Sequence, residues 1–171
     1  AGTSTEIVVY DEDKRTALSA WIEGGQGLEY DGDLSADVEY WSKVAGAYGG
    51  VNIAADAFRY GALRDEGADC AAVDEARARL LVALDTLHMA QAITGAEGVI
   101  ARGFATTALP GHGADVETTP LFDDDGAPLP EEKDNGTWRE DNSGLYPDMR
   151  WEDSCSRDQY IGWIAGMGAA W

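Results

Sequence analysis

The sequence has little positive charge. Its 12 Lys and Arg residues face 32 Asp and Glu residues, which leaves a net charge of −20. A surface with this much negative charge repels the phosphates of nucleic acids and the anionic inner leaflet of a membrane. We therefore expect neither of them as a partner. Two interpretations of the charge stay open: it keeps the protein soluble in a salty or calcium-rich medium, or some of its carboxylates hold divalent cations.

Cysteine and histidine are also scarce, with two of each. Cys70 and Cys155 fit one disulfide in an oxidising compartment, or two ordinary thiols in a reducing one. Neither cysteine lies in a CxxC pair, and His88 and His112 are the only histidines, so a zinc site is not expected. We interpret His88, which lies on the margin of an apolar helix face, as a core histidine rather than a catalyst.

Long apolar runs are missing as well. The run IGWIAGMGAAW at 161–171 has 11 residues, well short of the roughly 20 that cross a bilayer. We therefore expect no membrane span. The chain opens with AGTSTE, which is what cleavage after a small-residue site leaves. On this ground we expect a secreted or extracellular protein and, in that case, a disulfide between Cys70 and Cys155.

An acidic segment near the start of the chain contains Asp31, Asp33 and Asp37. Oxygen ligands two residues apart beside a glycine suit a hard cation such as calcium, although the spacing is not that of an EF-hand. The alternative interpretation is an ordinary acidic loop. Further along, Asn135 opens an NGT sequon, which makes it a candidate glycosylation site in a secreted protein.

Apolar periodicity predicts a mainly α fold. A short N-terminal strand at 6–10 comes first, followed by a short helix that Gly24 and Gly25 close. Long antiparallel helices are then predicted over 37–66 and 71–94. The second of these is the clearest, because its apolar stripe runs unbroken.

The predicted helix over 37–66 carries apolar residues at spacings of three and four, which places them on one face. These residues are Val44, Tyr48, Val51, Ala55, Phe58 and Ala62. Gly49 and Gly50 lie beside them, and each costs roughly 1 kcal/mol in a helix interior. A close helix contact, a local break or the approach of a ligand would explain the two glycines.

A third helix is predicted from Ser156, which has the spacing of a capping box with Gln159. Residues 105–150 hold all five prolines and an acidic run without helical period, so we predict a long irregular loop there. We treat the chain as one domain or as part of a larger one. Its parts are an N-terminal arm (1–36), a helical hairpin (37–104), the loop (105–150) and the third helix (151–171).

Two stretches of the sequence resemble a known group of proteins. They are YGGVNIAADAFRYGAL continued by EARARLLVALDTLHMAQAITGAEGVIARGF, and WEDSCSRDQYIGWIAGM after a variable loop. Both resemble bacterial (α/α)-toroid proteins, which are related in architecture to six-hairpin glycosidases. The resemblance covers residues 45–104 and 151–168, and it implies antiparallel helical hairpins that form part of a toroid.

A toroid of six hairpins needs more helices than this sequence predicts. We therefore expect the chain to be a fragment of a larger toroid, or to complete its core with another copy or another chain. The surface we expect to meet that partner is an apolar patch on the last helix. It consists of Trp163, Ile164, Met167 and Trp171.

In toroids of this kind the substrate funnel lies at one mouth, where helix ends and loops meet. The resemblance therefore implies a site at Arg102, Asp153, Arg157 and Asp158, with Ser156 and Gln159 beside it. Asp153 or Asp158 would act as general acid or base, and an arginine would orient a carboxylate or sugar oxygen.

Glycoside hydrolysis needs a second carboxylate, for which Glu97 and Asp37 are the candidates. The alternative is structural, because Asp and Ser at a helix start are favoured by capping and by the helix dipole alone. Two hypotheses of function follow. The first is an extracellular helical protein that works in an assembly, structural and dependent on cations such as calcium. The second is a carbohydrate-active, glycosidase-like enzyme.

Overall fold

The computed structural model describes residues 7–24, 32–129 and 136–171. Within these ranges the chain forms five helices: α1 (Glu12–Glu23), α2 (Leu34–Asp37), α3 (Gly46–Asp65), α4 (Cys70–Ala92) and α5 (Arg157–Ala170). It also forms six short strands: β1 (Ile7–Val8), β2 (Tyr40–Trp41), β3 (Val44–Ala45), β4 (Gly103–Thr106), β5 (Trp138–Glu140) and β6 (Met149–Glu152). Helices dominate the described chain, and two antiparallel sheets accompany them.

Helices α3 and α5 pack against each other through glycine. The buried positions include Gly46, Gly49 and Gly50 in α3, and Gly162 and Gly166 in α5. A Cβ atom at Gly50 would lie 1.7 Å from the carbonyl oxygen of Gly162, and one at Gly162 would lie 2.5 Å from the carbonyl oxygen of Gly46. The two backbones are therefore in direct contact, which side chains at these positions would prevent.

The glycines of α3 also make room for Trp163, whose side chain is completely buried. A Cβ atom at Gly46 or Gly49 would lie within 2.7 Å of the indole ring. The indole Nε1–H donates a hydrogen bond to the carbonyl oxygen of Ala101 at 3.2 Å. The expectation that Trp163 is exposed is wrong, because the α3 surface opposite it has no side chains to exclude the ring.

Helix α4 agrees closely with the helix predicted over 71–94, and it also packs against α3. The Asp69 carboxylate accepts a hydrogen bond from the Ala72 N–H at 3.0 Å and so caps its first turn. Helices α3, α4 and α5 share one hydrophobic core with the larger sheet. Its buried members are Ile53, Ala57, Leu80, Ala83, Ala90, Ile93, Ala101, Phe104, Leu121, Trp151 and Trp163.

The larger sheet has the strand order β3-β4-β6-β5, and all its pairings are antiparallel. Phe104 on β4 lies opposite Trp151 on β6, and both side chains are buried in the shared core. Successive side chains of a strand point to opposite faces. Gly103 and Glu152, the adjacent pair in the register, therefore lie on the face turned away from that core.

The smaller sheet pairs β1 with β2 beside α1. A second apolar cluster, formed by Val9, Leu18 and Val38, joins these elements. The Asp11 carboxylate accepts from the Lys14 N–H at 2.9 Å at the start of α1. The strand and the short helix predicted at this end of the chain are thus confirmed. Gly24 closes the helix, and Gly25 lies outside the described residues.

Two predictions about the elements are wrong. The helix predicted from residue 37 begins only at Gly46. The four-residue α2 ends at Asp37, and the chain then forms β2 and β3 before α3 begins. Aromatic and β-branched residues such as Tyr40, Trp41 and Val44 favour strands. The loop predicted over 105–150 is not irregular throughout, since it supplies β5 and part of β4 and β6. The description "mainly α" is therefore incomplete.

The start of α5 also differs from the prediction. Ser156 is the N-cap residue, but its side chain makes no capping hydrogen bond and its hydroxyl donates to Asp158 instead. The side-chain oxygen of Gln159 accepts from the Ala47 N–H at 2.8 Å. The predicted capping box is wrong, because Gln159 serves the first turn of α3 rather than that of its own helix.

Five of the six residues of the apolar face predicted for the first long helix lie on α3, and all five are exposed. The sixth, Val44, lies on β3. Tyr48 and Val51 are each 62% exposed and Phe58 is 68% exposed. The buried positions Ile53 and Ala57 lie on the opposite face with the glycines. Helix α3 is therefore apolar on two faces, and only one of them is covered.

Candidate functional site

The core-averted face of the larger sheet carries a row of residues that lie side by side on neighbouring strands. Ala45, Gly103, Glu152 and Trp138 follow one another across β3, β4, β6 and β5. Residues directly opposite in an antiparallel pair point to the same face. Glu152 is therefore flanked by a glycine on one side and by an indole on the other.

Glu152 is completely buried although it is ionisable. Its Oε2 atom accepts a hydrogen bond from the Lys43 ammonium and lies 3.5 Å from Nε of Arg102. Its Oε1 atom is equally buried and has no hydrogen-bond partner among the described residues. A buried carboxylate is tolerated when cations compensate its charge. Here both cations lie beside Oε2, and Oε1 has no hydrogen-bond partner among the described residues.

Gly103 determines how Lys43 reaches this carboxylate. A Cβ atom at Gly103 would lie 2.6 Å from the carbonyl oxygen of Val44 and 3.1 Å from Cδ of Lys43. The lysine side chain therefore crosses the sheet over the glycine. Its ammonium also lies 5.9 Å from the centre of the Trp138 ring, within reach of a cation–π interaction.

Arg102 connects the sheet to the segment that precedes α5. Its Nη1 donates to the carbonyl oxygen of Ser154 at 3.3 Å. Ser154 has φ of 61°, in the left-handed region that few residues other than glycine adopt. Residues held in this region cluster at functional sites, so the strained Ser154 marks this segment as part of the candidate site.

Arg102 also affects the pKa values of two groups in this segment, the Cys155 thiol and the Asp158 carboxyl. Burial raises the pKa of the Cys155 thiol, and the Arg102 charge offsets part of this effect. The pKa of the Asp158 carboxyl is lowered, chiefly by the hydrogen bond from the Ser156 hydroxyl and to a small extent by Arg102. A common site for Arg102 and Asp158 stays a prediction, which the effect of Arg102 on this pKa favours.

Asp153, also predicted to lie in this site, has another partner. Its Oδ2 accepts from Nε of Arg139 at 2.5 Å, and Arg139 is completely buried. Arg139 also donates to the carbonyl oxygens of Thr119 and Pro120. This ion pair ties β5 to the chain before α5, so Asp153 has a structural partner in Arg139.

The remaining predicted residues lie apart from this cluster. Arg157 is exposed and forms no ion pair within the described residues, and Glu97 is exposed in the turn after α4. Asp37 pairs with Lys14 of α1 at 3.3 Å. The role of Glu97 or Asp37 as a second carboxylate stays a prediction.

Aromatic side chains border the Lys43 side of the cluster. The imidazole of His112 lies 5.4 Å from the ring of Tyr40 and 5.4 Å from that of Trp138. The Ser42 hydroxyl lies 3.4 Å from its Nδ1. Residues 110–112 run alongside Trp41 through backbone hydrogen bonds, and this pairing brings His112 to the sheet.

Lys43, Glu152 and Trp138 were missed by sequence reasoning. The signal that points to Glu152 is its position beside the predicted Asp153, but nothing local distinguishes the two carboxylates. Lys43 and Glu152 are 109 residues apart in the chain, so only the strand register unites them.

Of the predicted cation ligands, Asp31 lies outside the described residues. Asp33 caps α2 by accepting from the N–H groups of Ser35 and Ala36. No cluster of three potential metal ligands occurs in ranges 7–24, 32–129 and 136–171. The calcium site therefore stays a prediction, as does glycosylation of Asn135, which also lies outside these ranges.

The predicted disulfide is not present in the structure. Cys70 is an exposed free thiol at the start of α4, and Cys155 is a half-buried free thiol before α5. The pairing was expected only for a secreted chain, and whether it forms under oxidising conditions stays a prediction.

Comparisons of this chain with protein-family models, with curated proteins and with solved structures find no match. Among the helices within the described residues, none is both long and apolar enough to cross a membrane. Chemically, the Glu152 cluster offers a desolvated carboxylate, one oxygen of which has no partner among the described residues and suits acceptance of a hydrogen bond from a hydroxyl group.

Proposed function

We propose that this chain is a helical protein that works in an assembly, in which helices of a second copy or of another chain cover α3 and α5. The observation that carries the proposal is the apolar stripe on the uncovered face of α3. This α3 stripe consists of Tyr48, Val51, Ala55 and Phe58, which follow one another at spacings of three, four and three.

Helix α5 has a matching feature. Its α5 stripe consists of Tyr160, Ile164, Met167 and Trp171, all exposed, at spacings of four, three and four. The glycines and Trp163 occupy the opposite face. Three of the four residues of the predicted apolar patch thus belong to this stripe.

Both stripes favour burial against further helices. A helix that is apolar on opposite faces is typical of a protein interior, and large exposed apolar patches mark interaction surfaces. Burying one large apolar side chain contributes about 1.5–3 kcal/mol. The resemblance to (α/α) toroids supplies a geometry for the partner, namely additional antiparallel hairpins beside α3 and α5.

Charge bears on the conditions of assembly. Each copy carries a net charge of −20, so copies repel one another at low ionic strength. Cations reduce this repulsion by screening, and we extend the proposal to an extracellular, calcium-rich medium on this ground. Comparing calcium with sodium at equal ionic strength distinguishes the two effects, because both salts screen charge but only calcium is expected to bind carboxylates.

The test is sedimentation of the purified chain with and without calcium. We expect self-association that Phe58→Asp or Ile164→Asp abolishes, because each places a charge within a stripe. Leu145→Asp is the matched control, since Leu145 is 65% exposed but lies in a turn outside both stripes. A monomer in every condition that unfolds cooperatively and binds no hydrophobic dye contradicts the proposal.

A second candidate function rests on the Oε1 atom of Glu152, which is buried without a hydrogen-bond partner among the described residues. A carboxylate in a water-poor site beside Trp138 suits recognition of a sugar hydroxyl. Asp158, predicted as general acid or base, is the proposed second acidic group. This supports a carbohydrate-active, glycosidase-like function as the alternative.

Its test is a panel of oligosaccharides assayed for binding and hydrolysis. Binding lost in Glu152→Gln and hydrolysis lost in Asp158→Asn, both in folded proteins, would support the enzyme. Glu140→Gln is the control, because Glu140 is an exposed carboxylate on the adjacent strand. Turnover that survives both substitutions contradicts the assignment.

A further inference from the structure

A cavity of about 380 Å³ lies between α4, α5 and the chain at 98–100. Its apolar walls come from α4 and from the segment that follows it, and Trp163 contributes from α5. The residues that form these walls are Leu84, Leu87, Val99, Ile100, Trp163 and Met167. This volume falls at the lower end of the range of roughly 300–1,000 Å³ found for small-molecule sites.

Three polar side chains also line the cavity: His88, Gln91 and Tyr160. None of them has a hydrogen-bond partner among the described residues, although each can donate one. His88, interpreted from the sequence as a satisfied core histidine, is exposed here. A few polar groups around an apolar cavity are the usual arrangement by which a pocket orients a ligand.

The charges decide which class of ligand fits. No Asp, Glu, Lys or Arg of the described residues lines the cavity, and the net charge of −20 repels anions. We infer that the cavity binds a neutral, largely apolar small molecule whose carbonyl or hydroxyl oxygen accepts hydrogen bonds from Gln91 and Tyr160. Tyr160 and Met167 belong to the α5 stripe as well as to the cavity, so the test has to distinguish ligand binding from assembly.

The probe is 2-acetylnaphthalene, a neutral aromatic ketone. Two analogues isolate its features: 2-ethylnaphthalene keeps the shape without the carbonyl, and 2-naphthoate replaces the ketone with a negative charge. Binding is followed by methyl NMR of Leu84, Leu87, Val99 and Ile100. We expect saturable shifts with the ketone, roughly fivefold weaker binding of the ethyl compound, and still weaker binding of the anion.

Variants locate the site. Tyr160→Phe or Gln91→Leu is expected to reduce affinity for the ketone by a few-fold but not affinity for 2-ethylnaphthalene. Leu84→Trp fills the cavity and is expected to abolish binding, with a melting curve to verify its fold. Tyr48→Phe is the control, because it removes an exposed hydroxyl from α3, outside the cavity.

The measurements are repeated in the Ile164→Asp background, so that loss of assembly and loss of ligand binding are distinguished. Absence of saturable shifts in the native chain overturns the inference. So does binding that Leu84→Trp leaves unchanged, or equal binding of ketone and ethyl compound together with insensitivity to Tyr160→Phe.

Discussion

Gly50 and Gly162 make the closest contact between α3 and α5, and their identity follows from the space available. A Cβ atom at Gly50 would lie 1.7 Å from one carbonyl oxygen of the partner helix, a distance that requires the helices to move apart. Gly61 lies in the same helix with no atom within 4 Å of its Cβ position. Gly50 is therefore required for packing, whereas Gly61 shows only the intrinsic cost of glycine to a helix.

We predict opposite effects for alanine at these positions. Gly50→Ala is expected to lower the free energy of unfolding by about 2 kcal/mol or more, because overpacking outweighs the gain in helix propensity. Gly61→Ala is expected to raise it by up to about 1 kcal/mol. Urea unfolding of both variants provides the check, and equal effects of the two substitutions would contradict the observed contact.

Single elements differ in how far the sequence predicts them. Helix α4 has a local cap at Asp69 and an unbroken apolar period, so its predicted range was right to within two residues at each end. The strands β3, β4 and β6 have two to four residues each and pair with distant segments, such as Val44 with Phe104. Their stability comes from these distant partners, so the local sequence pattern does not predict them.

The same reasoning explains which part of the candidate site was found. Arg102 and Asp158 were predicted because a resemblance carried them. Arg102 does contact the segment before α5, through the carbonyl oxygen of Ser154, and its common site with Asp158 stays a prediction. The partner of Asp153 was missed, because Arg139 lies in a segment predicted as loop. Glu152 was missed because its burial depends on the register of three strands.

The turn between β5 and β6 depends on one carboxylate. Asp141 accepts hydrogen bonds from the N–H of Ser143 at 2.9 Å, from its hydroxyl at 2.6 Å and from the N–H of Tyr146 at 2.7 Å. Burial by itself would raise the pKa of Asp141, but these hydrogen bonds outweigh it, and the pKa lies below its ordinary value of 3.8. The charged form is therefore the one that the turn prefers.

We predict an acid dependence from this shift. A carboxyl whose folded pKa is depressed adds stability above its unfolded pKa, and loses it as the pH falls through the folded value. Asp141→Asn should lower the free energy of unfolding by about 1 kcal/mol at neutral pH and by less below pH of about 4. Unfolding by urea at both pH values measures this difference. Asp124→Asn is the control, since Asp124 is exposed, and an equal loss there would contradict the role of the turn.

At the scale of the whole molecule, charge acts against both folding and association. Ion pairs such as Arg64–Asp65 and Arg79–Glu75 are largely exposed and contribute little. Most of the 32 acidic residues have no basic counterpart, because only 12 Lys and Arg are present. The compact chain therefore carries a repulsion that the surrounding ions must reduce.

We therefore predict that salt stabilises the fold of the monomer. In the Ile164→Asp variant, which is designed to remain monomeric, the melting temperature should rise as sodium chloride approaches physiological strength, where charges separated by more than about 8 Å are screened. Calcium at equal ionic strength should add a further rise only if carboxylates bind it. The predicted ligand Asp31 provides the test, since Asp31→Asn should remove the calcium increment and leave the sodium response. Melting temperatures that fall or stay constant with sodium chloride would contradict the repulsion, because screening of like charges acts only in the stabilising direction.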